Sequence, residues 1–309
     1  MIEQRKGKAS SLRSPSASML LSWWLKRLRV DAVSSLALWA REPEWPLLVL
    51  CAILTVSFLV HWLGYVLAAH QIGWPSPLFS PTSWEGRIGW RKPVVFGISN
   101  AMVSVTLRQA LRAQQLAPRG FVSHLAAWST AVEVSIITVQ AWRDVPSHFN
   151  TSTTLDAVLY ATKLWGVFLL SIACLLATVG VYLKPSRAAP AQLAALRHGL
   201  LLMMLAIVVG FVMVAAGHLP REAYEEEMLP CLEATAGAAA SPCYEIRGQA
   251  IVKLAHFLPL HATEVLLLLA WAASWTSGKS LFLVRFASWG CWSLAFLGLW
   301  TVWVGKSIK

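Results

Sequence analysis

Seven stretches of about 20 or more mostly apolar residues run through this sequence, at 45–69, 90–112, 121–143, 154–183, 192–217, 249–274 and 281–305. A helix needs about 20 such residues to cross roughly 30 Å of hydrocarbon. In lipid every backbone N–H and C=O must also be satisfied within its own segment, which leaves the helix as the natural spanning element. The chain therefore reads as an all-α, polytopic integral membrane helical bundle of about seven transmembrane helices, filling residues 45–305. Composition agrees, with 57% hydrophobic and 13% charged residues, the latter about half the usual quarter. A soluble enzyme, a disordered chain and a disulfide scaffold are excluded.

What lies outside the spans is polar and sorted by charge. Residues 1–18 read as a disordered basic tail with no apolar core of the kind a signal peptide needs. Residues 19–41, with Trp23, Trp24, Lys26, Arg27 and Arg29, suit an amphipathic helix lying at the membrane surface. The net charge of +11 would suggest nucleic acid in a soluble chain. Here it is explained by the Lys and Arg excess that orients membrane proteins, and no nucleic acid partner is expected. With the N-terminus cytoplasmic, the tail and alternate loops carry 16 Lys and Arg and the opposite loops eight. That bias predicts a cytoplasmic N-terminus and, after an odd number of spans, an extracytoplasmic C-terminus. The 218–248 loop then lies outside; it is acidic and holds Cys231 and Cys243, which an oxidising compartment permits to bridge. Neither an internal nor an inverted repeat is visible.

Charges within a span cost roughly 2.5–3.5 kcal/mol each on insertion scales, so they face the bundle interior and mark function. In the sixth span, taking Lys253 as zero, His256, His261 and Glu264 project near about −60°, +80° and +20° and share one broad face. Ser129, Glu133 and Gln140 form a stripe on the third span, Asp156, Tyr160 and Lys163 one on the fourth, and Lys92, Ser99 and Asn100 a weaker one on the second. At about 1.5 Å per residue from the outer boundary, His61 lies about 12 Å deep, Glu133 and Lys163 about 14–15 Å, His256 about 10 Å and His261 about 18 Å. Arg143, His148, Asn150, His70 and His218 sit above that layer; six of the eight histidines belong to this outer region. The pattern reads as a polar pocket opening outward.

Each piece carries a plain alternative. His256 and His261 are five apart, about 140° of turn, so they cannot chelate one ion as an i, i+4 pair would. Pro259 between them should kink the helix. They either hydrogen-bond neighbouring spans or act with partners from other helices. Glu133 and Lys163 fit a buried ion pair locking two spans together as well as a catalytic pair. Thr153-x-x-Asp156 looks like a capping box, which makes Asp156 structural. Most of the tryptophans form an interfacial belt.

Two strings look familiar: Gln140-Ala141-Trp142-Arg143 running into Ser147-His148-Phe149-Asn150, and His256-Phe257-Leu258-Pro259-Leu260-His261-Ala262. Both resemble motifs of a group of uncharacterised bacterial multi-pass membrane proteins, and the segment at 91–99 is similar to a third. The resemblance covers about 91–183 and 249–274. It implies only the multi-pass fold and a role for these residues; the bacterial inner membrane is the expected location. The acidic 218–248 loop departs from the Gly-rich loop of that group.

Three functions fit the polar layer. The first is a membrane enzyme with a divalent metal or haem. It would use Glu133, Lys163, Lys253 and Glu264 as catalytic groups, Arg143, His148 and Asn150 against the cofactor, and His61, His256 and His261 as metal ligands. Neither a His-x-x-x-His pair nor the long same-helix spacing of a di-haem cytochrome supports it. The second is a proton-coupled transporter relaying protons through Glu133, Glu264 and the histidines. The third is a non-catalytic subunit or assembly factor bound to a membrane-protein partner within the lipid bilayer.

Overall fold

The computed structural model describes residues 42–69, 91–143, 145–186, 188–216, 249–275 and 280–307. The basic tail, the 19–41 surface helix, His70, His218 and the 218–248 loop with its two cysteines lie outside the described residues, as does the side chain of Lys253.

The architecture is an all-helical membrane bundle. Its elements are α1 (Trp45–Ala69), α2 (Arg91–Arg112), α3 (Arg119–Trp142), α4 (Thr154–Leu183), α5 (Pro190–Ala216), α6 (Gln249–Leu260), α7 (Ala262–Ala273) and α8 (Ser280–Ser307). Among the described residues six helices are long and apolar enough to cross a membrane. The seventh crossing is α6 and α7, two 12-residue helices that continue one another across His261. Pro259 is the cause. It has no N–H to donate and its ring crowds the preceding turn. The backbone bonds that bridge the break are long, 3.3 Å from His261 N–H to Phe257 O and 3.4 Å from Val265 N–H to His261 O.

Packing divides the spans into two groups. Helices α1 to α4 pack consecutively, with α3 also against α1 and α2 against α4, while α5, the broken α6–α7 span and α8 pack mutually. The groups meet where α4 touches α5 and where α2 touches α7. Small residues allow the closest approaches, as expected where lipid tails offer no hydrophobic drive for helix association. A Cβ on Gly166 of α4 would sit 3.1 Å from Ser129 O of α3, and one on Gly199 of α5 only 2.5 Å from Thr263 Cα of α7.

Polarity runs from inside to outside. Val56, Trp128, Trp165, Phe286 and Trp289 are exposed on the rim, where the bilayer solvates them, while Glu133, Asp156, Lys163, His261 and Glu264 are buried. One end of the bundle is laced by ion pairs: Arg108 and Arg112 reach Glu42, and Arg119 reaches Glu44 at 3.2 Å. These join the start of α1, the end of α2 and the start of α3, which places all three on one face.

Candidate functional site

The polar layer resolves into three neighbourhoods. At the α3–α4 end, Thr153 caps α4: its Oγ1 accepts from Asp156 N–H at 3.1 Å, and the hydroxyl donates to Asp156 Oδ2 at 2.7 Å. Thr153 is thus the N-cap read from the spacing, but Asp156 returns to its hydroxyl rather than to its backbone N–H, so only half of a capping box forms. Asp156 Oδ1 also accepts from Gln140 Nε2 at 3.0 Å and from Arg143 Nη1 at 2.7 Å. Arg143 is therefore engaged within the protein, by Asp156 and Gln140. Asn150 is buried and turns its Oδ1 to Ser152 N–H and Oγ–H, holding the loop that leads into α4.

The same loop carries Ser147, His148 and Phe149. Phe149 has a φ of 55° and is buried against Tyr160, ring centroids 5.6 Å apart. Left-handed backbone is costly for a bulky side chain, so surrounding contacts must hold it. Lys163, only 1% exposed, provides one: its Nζ donates to Ser147 O at 2.9 Å and lies 4.9 Å from the Tyr160 ring centre. His148 packs on Phe96 of α2 and meets Ser147 Oγ at 2.9 Å through Nδ1. Burial, then the charges of Lys163 and Lys92, hold its imidazole well below the ordinary 6.5, so it is neutral at pH 7. Glu133 is 8% exposed on α3 and faces the charge of Lys163. No N···O contact within 4 Å joins them, so they do not form a direct ion pair.

His61 forms the second neighbourhood. Its Nδ1–H donates to Ser57 O at 2.7 Å, and its Nε2 accepts from Trp142 Nε1–H at 3.0 Å. Both ring nitrogens are used, and the neutral tautomer follows from the partners. The ring ties α1 to the end of α3.

The break in the sixth span is the third. His261 Nε2 lies 2.7 Å from Ser99 Oγ on α2, and Thr106 Oγ1, seven residues further along the same helix, donates to Glu264 Oε1 at 2.8 Å. His261 Nδ1 and Glu264 Oε2 lie 3.8 Å apart, and both are buried without a hydrogen bond, as is Thr263 Oγ1. His256 points elsewhere, its Nδ1–H donating to Ala206 O of α5 at 2.7 Å. The kink thus sends the two histidines to different helices.

The expected metal centre of His61, His256 and His261 is not assembled. Among the described residues no three His, Cys, Asp or Glu side chains gather where they could hold one ion. His61 has both nitrogens engaged, and His256 and His261 serve separate contacts. Among the described residues, the three histidines expected to ligate a metal do not fit that role together.

Of the residues singled out from the sequence, Arg143, His148, Asn150 and Lys163 cluster at the α3–α4 loop with Glu133 facing Lys163, while His261 and Glu264 share the break. Ser147, Trp142 and Thr106 are partners that helical projection passed over. Ser99 and Thr106, two turns apart on one face of α2, were the available signal. No protein-family model, curated protein or solved structure matches this chain.

Proposed function

We propose that this protein is a proton-coupled membrane carrier whose proton site is the His261–Glu264 pair at the break of its sixth span. The observation that carries this reading is the pair of buried, unbonded atoms, His261 Nδ1 and Glu264 Oε2, held 3.8 Å apart. A buried polar atom without a partner costs about 1–3 kcal/mol, more for a charged one. One proton changes that balance. With His261 neutral, the Glu264 carboxylate is satisfied through one oxygen by Thr106 alone. With His261 as imidazolium, Nε2–H donates to Ser99 Oγ and Nδ1–H gains Glu264 Oε2 as acceptor if the gap closes by roughly 1 Å to hydrogen-bond length.

The break supplies the means of closing it. Interrupted spans that hold ionisable groups near the bilayer centre are a recurring construction in carriers, since unwound backbone is tolerated there only where it lines a polar site. His261 is both the joint between α6 and α7 and one member of the pair. A change in its protonation therefore acts on the angle between the half-helices, and through Ser99 and Thr106 on the contact between the two helix groups.

Proteoliposomes loaded with a pH-sensitive dye test this. Amino acids, sugars and organic acids would be added singly outside, against an imposed proton gradient. At least one class should drive proton movement in the wild type and fail to do so in Glu264→Gln. Folded wild-type protein that moves no proton with any solute class would sink the carrier reading. So would stoichiometric iron or zinc in the purified protein, which would restore the enzyme alternative.

A further inference from the structure

The end of the bundle laced by the Glu42 and Glu44 ion pairs carries a polar cleft that the proton site does not use. It has a volume of about 410 Å³ and is lined by Arg112, Gln114, Gln115, Ala117, Arg119 and Ser186. Its walls are two turns, α2 to α3 and α4 to α5, locked together. Gln115 N–H donates to Lys184 O at 2.9 Å, Ser186 N–H to Ala113 O at 2.8 Å, and Ser186 Oγ–H to Arg112 O at 3.1 Å. Gln114 is buried and stiffens the first turn from within, its Oε1 accepting from Leu116 and Ala117 N–H at 2.6 and 2.7 Å. The cleft is thus preformed, and a ligand entering it pays little ordering cost.

Its charge is positive. Among the described residues around the cleft, Arg108, Arg112, Arg119 and Lys184 stand against Glu42 and Glu44, and Arg197 lies against the last turn of α4. The Arg112 and Arg119 side chains are 46% and 41% exposed despite their carboxylate contacts, so donors remain available to an incoming anion. The start of α3 adds to this, since Pro118 offers no side-chain cap and its first turn has no acidic residue. Helix N-termini without a cap favour anions. Large apolar side chains adjoin the cleft residues in sequence: Leu116, Phe121 and Leu183 are 42%, 62% and 69% exposed. A free anion would have no use for these; an acyl chain would.

We propose that this cleft binds the phosphodiester headgroup of an anionic membrane lipid, with Arg112 and Arg119 taking the phosphate oxygens and the acyl chains lying over Leu116, Phe121 and Leu183. Guanidinium groups match phosphate geometry bidentately, and basic pockets at helix ends are where such headgroups are held. The bound lipid would bridge the two turns and brace α2, α3 and α4 at this face. The site is independent of the His261–Glu264 pair and stands whether or not the carrier reading holds.

Thermal unfolding of the detergent-purified full chain tests the assignment, with phosphatidylglycerol, phosphatidylcholine or inorganic phosphate added at matched concentration. Phosphatidylglycerol should raise the midpoint by several degrees and the other two should not. Arg112→Gln with Arg119→Gln should lose that shift, and Glu42→Gln with Glu44→Gln should keep or enlarge it, which separates lost ligand cations from lost ion pairs. If the double arginine variant does not purify folded, the half-exposed Arg112→Gln alone carries the test and should show a smaller shift. Equal shifts with the two lipids, or a full shift in the arginine variants, would overturn the proposal. A shift with inorganic phosphate matching that of phosphatidylglycerol would overturn the lipid source and leave an anion site.

Discussion

His61 spends both ring nitrogens inside the protein, His256 turns one to a backbone carbonyl, and His261 keeps Nδ1 aimed at a carboxylate it does not reach. These three residues look alike in a hydropathy trace, and only their partners separate a structural imidazole from one poised to take a proton. His148 adds a fourth case, set by burial and two lysines. Because its folded value lies well below the ordinary 6.5, the unfolded chain binds a proton as pH falls past about 6.5 while the folded chain does not. Stability must then drop with falling pH. The thermal midpoint in detergent should decline between pH 7 and 5, and His148→Gln should remove part of that decline. An unchanged pH profile in the variant would show that other groups are responsible.

At the scale of the element, helices were legible and their neighbours were not. Apolar run length placed the described helices to within a few residues, because in hydrocarbon a minimum apolar length is required. Pro259 announced the kink, and Thr153 with Asp156 announced the cap. Helical projection also found the stripes of Glu133, Lys163 and Glu264. It could not say that the Ser99 and Thr106 face of α2 meets α7, since that is a choice among distant surfaces with the same periodicity. Nor did it show that Glu133 and Lys163 stop short of an ion pair, because the pull of Ser147 O on Lys163 comes from a loop with no periodicity at all. Close packing is what makes the choice between surfaces. Gly199→Ala would drive a methyl group to 2.5 Å from Thr263 Cα, a backbone atom that cannot swing aside. Overpacking of this kind costs about 1–3 kcal/mol. Gly290 on α8 has open space around its missing Cβ, so Gly290→Ala should be neutral or add up to about 1 kcal/mol. Unfolding midpoints of the two variants should move apart; a Gly199→Ala protein as stable as Gly290→Ala would mean α5 and α7 do not cross so tightly.

For the whole molecule, the arrangement of charge and the arrangement of helices constrain each other. The ion pairs of Glu42 and Glu44 bring the start of α1, the end of α2 and the start of α3 to one face. The locked turns add the end of α4 and the approach to α5. Among the described residues that face holds Arg108, Arg112, Arg119, Lys184 and Arg197, and the helix ends of the opposite face hold Arg91, Lys92 and Arg143. Basic residues flanking short loops stay on the cytoplasmic side during insertion. The face with the proposed lipid cleft should therefore be cytoplasmic, and the His148 loop should open to the outside. On that orientation, seven crossings would bring the end of α8 to the outside as well. Fusing alkaline phosphatase after Lys309 should give active enzyme, and a fusion within the α2–α3 turn, truncated at Gln115, should give an inactive one. The reverse result would invert the bundle, placing the His148 loop in the cytoplasm and the proposed lipid cleft in the outer leaflet.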